Sequence, residues 1–296
     1  MDKIIFGDNQ FFGVNHMSEQ KAIKQAQRFR TPEDIYKTLE YVNEIGIKSF
    51  IFTTHGQFEQ VFKMMRDNPK FDDFKLYPSL PYAHKYVDAL SEHGPFDAIR
   101  KFLPGNKIMS GIKGLESIIT SNPIPVMELL VDMEMKMLKG MNVQGIFLLN
   151  VITDLLLGLE MHDILLEFHN YVRKKYNVEA GYFTMNFTKL HHVLVDKLGL
   201  ENPIIVSNIN KTGFRMNPSQ EEVEKVLAEG TSRNIAMSFL ASGAILPPEA
   251  SEYIGSLEGI DGVLYGASSK AHILETKEIL EATFANQEAL RSLKII

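Results

Sequence analysis

Eight times along this chain a short apolar run gives way to a polar turn and then to a stretch of helical periodicity, and this alternation restricts the fold more than any single residue does. The runs occupy residues 3–6, 47–52, 75–80, 144–149, 180–184 and 202–207, with two more starting near residues 235 and 262. They are too uniformly apolar to have one wet face, which points to parallel strands buried on both sides and covered by helices. Eight such units predict closure into a single (β/α)8 TIM barrel of the α/β class rather than an open sheet. An open doubly wound sheet would carry a G-x-G-x-x-G turn after its first strand. Here that turn reads Gly7-Asp8-Asn9-Gln10-Phe11-Phe12-Gly13, which does not match. The barrel is expected to take up residues 1–296 as one domain, with an elaborated connection around 95–125, where prolines and glycines interrupt the apolar pieces.

Local signals fill in the helices. Thr31-Pro32-Glu33-Asp34 is a helix start with an N-cap, a first-turn proline and acids at the positive dipole end, and Ile35, Leu39 and Val42 follow at helical spacing. Phe58, Val61, Phe62 and Met65 mark a second helix. Residues 18–29 read as an exposed helical excursion. Residues 126–138 read as a helix burying Leu129, Leu130, Met133 and Met137. One long helix is expected over 154–176, with His162 and His169 in solvent. Ser219 and Glu222 have the spacing of a capping box.

Composition narrows the function. With no cysteine there is no disulfide, thiol nucleophile or zinc-thiolate site. The net charge of −6 leaves no basic surplus for a nucleic-acid backbone. No apolar run approaches the roughly 20 residues of a membrane span, and the amino end is too polar for a signal peptide. A cytoplasmic protein with neither nucleic acid nor membrane as partner is the expectation.

If the barrel closes, the strand exits converge on one mouth. They would deliver Asp8, Asn9 and Gln10, then His55, then Tyr82 and His84, then Asn150, Asn186, Asn208, Asn210 and Lys211, and finally Ser238, Ser242, Ser268 and Ser269. Asp8, His55, Tyr82 and His84 are acid, base or metal-ligand types, and a divalent metal, if one binds, would go to His55 and His84. The last two exits are serine- and glycine-rich. Ser268 or Ser269 caps the final helix, where unpaired amide N–H groups favour an anion.

The segments Thr184-Met185-Asn186-Phe187, Pro203-Ile204-Ile205-Val206, Ala236-Met237-Ser238-Phe239-Leu240-Ala241-Ser242-Gly243 and Tyr265-Gly266-Ala267-Ser268-Ser269-Lys270 resemble, in order and spacing, the carboxy-terminal half of an aldo-keto reductase. The resemblance implies that Asn186, Ser238, Ser242, Gly243, Gly266, Ala267, Ser268, Ser269 and Lys270 hold a phosphorylated small molecule or a nucleotide, NADP being the family's own. It also implies what is missing. The family's Asp and Tyr after the second strand fall on Thr53 and Phe58, its Lys near Leu80 or Pro81, its His on Asn150, and its nicotinamide-stacking aromatic on Met237. An enzyme is expected, with its reaction type open. Asn210-Lys211-Thr212-Gly213-Phe214 also resembles the Schiff-base lysine segment of deoxyribose-phosphate aldolases, which would make Lys211 the nucleophile of a lyase. A non-catalytic ligand-binding barrel is the other alternative.

Overall fold

In the computed structural model the eight runs become eight parallel strands closed into a barrel, in sequence order all the way round. The structure describes residues 1–13, 27–81 and 123–294. The strands are β1 (Ile4–Phe6), β2 (Ser49–Thr53), β3 (Lys75–Leu80), β4 (Gly145–Leu148), β5 (Glu179–Thr184), β6 (Ile204–Asn208), β7 (Arg233–Met237) and β8 (Ile260–Tyr265). The ring shuts between β8 and β1, with Ile4, Ile5 and Phe6 beside Val263, Leu264 and Tyr265.

Alternation divides the strand residues between two cores. Ile5, Ile51, Tyr77, Phe147, Phe183, Val206 and Ile235 fill the lumen. Their neighbours Phe6, Phe50, Phe52, Leu76, Ile146, Leu148, Tyr182 and Ile205 face outward and pack under the helices. The lumen is filled by pairing large with small residues across strands. Gly181 lies against the ring of Phe147, and a Cβ added there would come within 2.1 Å of that ring.

The helices are α1 (Pro32–Glu44), α2 (Phe58–Arg66), α3 (Ile124–Met135), α4 (Asn150–Gly158), α5 (His162–Tyr176), α6 (Phe187–His192), α7 (Gln220–Leu227), α8 (Pro247–Ser256) and α9 (Lys270–Lys294). The start of α1 is a full capping box. Thr31 Oγ1 accepts from Asp34 N at 3.3 Å, and Asp34 Oδ2 accepts from Thr31 N at 3.0 Å. Four details differ from the sequence reading. The expected helix over 154–176 is two helices, because the chain turns at Glu160 with φ of 57°. Helix α3 starts earlier, taking Pro125 into its first turn, and buries Val131 and Glu134, with Leu138 just beyond it, in place of Leu129, Leu130, Met133 and Met137. His162 and His169 are half-buried, and Nε2 of the first and Nδ1 of the second are sealed from solvent with no hydrogen-bond partner among the described residues. At Ser219 only one half of the box forms, Oγ accepting from Glu222 N at 3.2 Å. The expected connection at 95–125 and the excursion at 18–29 lie mostly outside the described residues.

At the amino-terminal end of the barrel, charged residues close the lumen with ion pairs: Asp2 with Lys75 at 2.7 Å, and Glu179 with Arg233 at 2.6 Å. Such groups at this end serve stability, and the opposite end is left for ligands. Among the described residues no helix is long and apolar enough to cross a membrane.

The lumen contact yields a test. Gly181→Ala drives a methyl group into the Phe147 ring, and overpacking of this kind costs about 1–3 kcal/mol. Urea unfolding should show that loss for the single variant, and Phe147→Leu in the same chain should recover part of it.

Candidate functional site

The mouth is built where strands end and chain direction changes. After β1 the chain makes a tight turn over Asn9–Phe12, and Asp8, which opens it, is 8% exposed. Its carboxylate reaches sideways to the end of β2. Oδ2 accepts from Thr53 N at 2.7 Å and from Thr53 Oγ1 at 2.6 Å. Burial raises the Asp8 pKa to about 6, because the two Thr53 bonds and a bond from its own backbone amide only partly offset the loss of water around the charge. Thr53 is the position that the resemblance gives to the family's aspartate. A carboxylate is therefore present at that corner, but it comes from the neighbouring strand.

Two residues on, His55 lies half-buried with its ring on Phe12, centroids 4.2 Å apart. Its Nδ1 accepts from Gln57 N at 3.2 Å, which leaves the proton of the neutral ring on Nε2. Burial lowers its pKa, which favours the neutral ring. Phe58 is fully buried among Phe52, Phe50 and Phe62, inside the wall of the barrel. It offers the mouth no proton. Ser79, paired in register with Thr53, has a buried hydroxyl with no partner among the described residues.

A second carboxylate clamp stands across the mouth. Asp154, in the first turns of α4, accepts from Thr184 Oγ1 at 2.5 Å and from Met185 N at 2.9 Å. Like Asp8, it holds a threonine hydroxyl and an adjoining amide at a strand end. The sequence reading passed over it, since it lay inside the supposed long helix. The one available signal was an acid within five residues of a strand exit. Asn150 begins α4 itself. Asn186 precedes α6 and donates its amide to Thr184 Oγ1 at 2.8 Å. Asn208 donates to Met185 Sδ at 2.9 Å.

Asn210 and Lys211 are both bonded to groups of the protein itself. The Asn210 side chain, fully buried, holds its own loop through Phe214 N and Thr212 Oγ1, each at 2.9 Å. Lys211 was expected as a desolvated amine, and it is instead exposed and paired with Glu249 at 2.9 Å. That partner raises its pKa, the reverse of what an amine nucleophile needs. Tyr82 and His84 lie outside the described residues, so the pairing of His55 with His84 does too.

The exits of β7 and β8 differ from one another. After β7, Ser238, Ala241, Ser242 and Gly243 have φ of 54°, 46°, 59° and 87°, a compact left-handed corner. The Gly243 amide is spent inside it, on Leu240 O at 2.8 Å. After β8 the amides of Gly266, Ala267, Ser268 and Ser269 donate to no protein acceptor among the described residues. Ser269 is the cap of α9, its Oγ accepting from His272 N at 3.2 Å. Lys270 turns away, with its ammonium 4.6 Å from the centre of the Tyr41 ring. Gln10 leans across from the first exit. Its Nε2 donates to Gly7 O at 2.6 Å, and its Oε1 occupies the place where a Cβ on Gly266 would stand. The other side of Gly266 is exposed.

Comparison with solved structures shows where the same fold occurs. PA4992 of Pseudomonas aeruginosa, a protein assigned to the aldo-keto reductases, superposes with a TM-score of 0.60 at 10% identity, over 95% of this chain and 91% of that one. The thermostable aldo-keto reductase Tm1743, solved with the inhibitor epalrestat, gives 0.58 at 11% identity over 98% and 95%. The fold is that of the aldo-keto reductases. No protein-family profile and no curated protein matches the sequence. At such low identity the likeness establishes architecture, and the activities of those proteins remain their own.

Asp8 gives a pH test. Its carboxyl keeps a proton in the folded state up to about 6, whereas the unfolded value is 3.8. Between those values the folded protein binds more protons, so stability falls as pH rises through this window and is level above it. Two pKa units correspond to about 3 kcal/mol. Asp8→Asn keeps an acceptor for Thr53 and removes the charge. Its unfolding free energy should match the parent at pH 4 and exceed it by up to about 3 kcal/mol at pH 8.

Proposed function

We propose that this barrel is an enzyme that binds a phosphorylated small molecule or a nucleotide at the exits of β7 and β8. The observation that carries the reading is the run of four amides, Gly266 to Ser269, with no protein acceptor among the described residues, at the positive end of the 25-residue helix α9. In (β/α)8 enzymes this end of the barrel is the ligand end, and phosphate commonly lies at the last two loops.

NADP is the nucleotide that the fold suggests, and the two halves of its site fit unequally. The phosphate end has its donors. At the other end, the place of the stacking aromatic holds the half-buried Met237, and the place of the proton-donating tyrosine holds the buried Phe58. These residues favour a phosphate-anchored ligand over carbonyl reduction by the family's usual acid. The exposed, ion-paired Lys211 gives no support to a Schiff-base lyase.

Backbone amide NMR tests the reading directly. Titration with inorganic phosphate or NADP should move the signals of Gly266, Ala267, Ser268 and Ser269 saturably, while those at the amino-terminal end of the barrel stay in place. Unmoved signals with both compounds at millimolar concentration would remove it.

A further inference from the structure

Asp8 and the free amides are neighbours across the seam of the barrel. Gly7 N donates to Tyr265 O at 2.8 Å, so the residues that follow each, Asp8 and Gly266, leave adjacent strands side by side. From there the Asp8 carboxylate extends away from β8 toward β2, where both Thr53 bonds fall on Oδ2 and neither on Oδ1. An anion on the amides and a carboxylate at that corner stand between one and two strand spacings apart, about 5–10 Å. That is the reach of a chain of roughly three to six bonds, and the dimension limits the ligand more sharply than the lining does.

We propose that Asp8 is the catalytic acid–base residue of this mouth, and that its substrate is a short phosphorylated α-hydroxy aldehyde or α-hydroxy ketone of three to five carbons. This rests on the phosphate reading above and extends it to chemistry. In the step, the Asp8 carboxylate takes a proton from the carbon beside the carbonyl group. The C–H electron pair becomes the carbon–carbon double bond of an enediolate, and the carbonyl pair moves onto oxygen. Asp8 then returns the proton either to the same carbon, which is exchange, or to the former carbonyl carbon while the hydroxyl proton of the first carbon passes to the former carbonyl oxygen, which is isomerisation; neither change consumes an oxidant or reductant.

Three features support this use of the corner. A carboxyl that titrates near neutrality both takes and gives a proton at working pH. The charge that develops on the substrate oxygen calls for a neutral donor, and the partly buried His55, on the turn after Thr53, is of a residue type that can supply one. Phe58 closes the route that the fold family would otherwise use, since it brings no acid to this corner.

Dihydroxyacetone phosphate in deuterium oxide is the probe. Proton NMR follows deuterium entering its hydroxymethyl group, and phosphorus NMR of the same samples reports whether the compound binds. We expect exchange above the buffer rate, rising with pH through a midpoint near 6 as Asp8 ionises. In Asp8→Asn, which should remain folded and still bind, exchange should drop at least 100-fold. A parallel Asp8→Asn preparation carries the same host background, so contaminating activity would appear equally in both. Binding without exchange, exchange that survives in Asp8→Asn, or a profile with no rise near that midpoint overturns the role of Asp8 and leaves the phosphate site standing. Failure of the probe to bind overturns the proposed substrate and the role of Asp8 on it, and the amide titration with phosphate and NADP then decides the phosphate site separately.

Discussion

The seam between β8 and β1 is the contact on which the rest of this molecule depends. Strand β1 is three residues long, yet it must meet β2 on one side and β8 on the other. It does so with backbone bonds at both ends of the seam, Val263 N to Lys3 O and Gly7 N to Tyr265 O, each at 2.8 Å. A parallel sheet left open here would present an unpaired edge, and its lumen side chains would lose half their neighbours. Closure also fixes the geometry of the mouth, because it brings the first exit, with its carboxylate, next to the last, with its amides.

How far the sequence could be read follows from the range of the forces involved. All eight strands and the best-capped helices are local events, set by apolar runs and by caps such as Thr31 with Asp34, and they lie where the sequence puts them. The misreadings at α3 and at the joint between α4 and α5 have one cause. Both segments are apolar on more than one side, so periodicity does not choose the buried face, and a left-handed residue at Glu160 is not a conformation that its side chain announces. The half-burial of His162 and His169 likewise depends on what packs against α5 and not on anything in α5.

The site divides along the same line. The capped turn after β8 was legible because a serine cap and a helix start lie within a few residues of each other. The Asp8–Thr53 clamp was not, since its partners are 45 residues apart and an aspartate after a strand is ordinary in itself. Lys211 shows what a motif leaves open. A short motif matched, but whether its amine is desolvated was decided by Glu249 on another helix. Asp154 and Thr184 repeat the Asp8 arrangement on the far side of the mouth, so two strand ends are held by the same device: one carboxylate gripping a threonine hydroxyl and an amide.

Gln10 links these parts in a way that bears on how the protein can change over generations. Its carboxamide is bonded to Gly7 at one end and rests on bare Gly266 at the other, so a methyl group at 266 would sit 1.9 Å from its oxygen. Shortening Gln10 would leave a void under the rim, and enlarging 266 would expel it. Gln10 and Gly266, separated by most of the chain, are thereby free to drift only together, and descendants of this barrel that keep one of them should be found to keep the other.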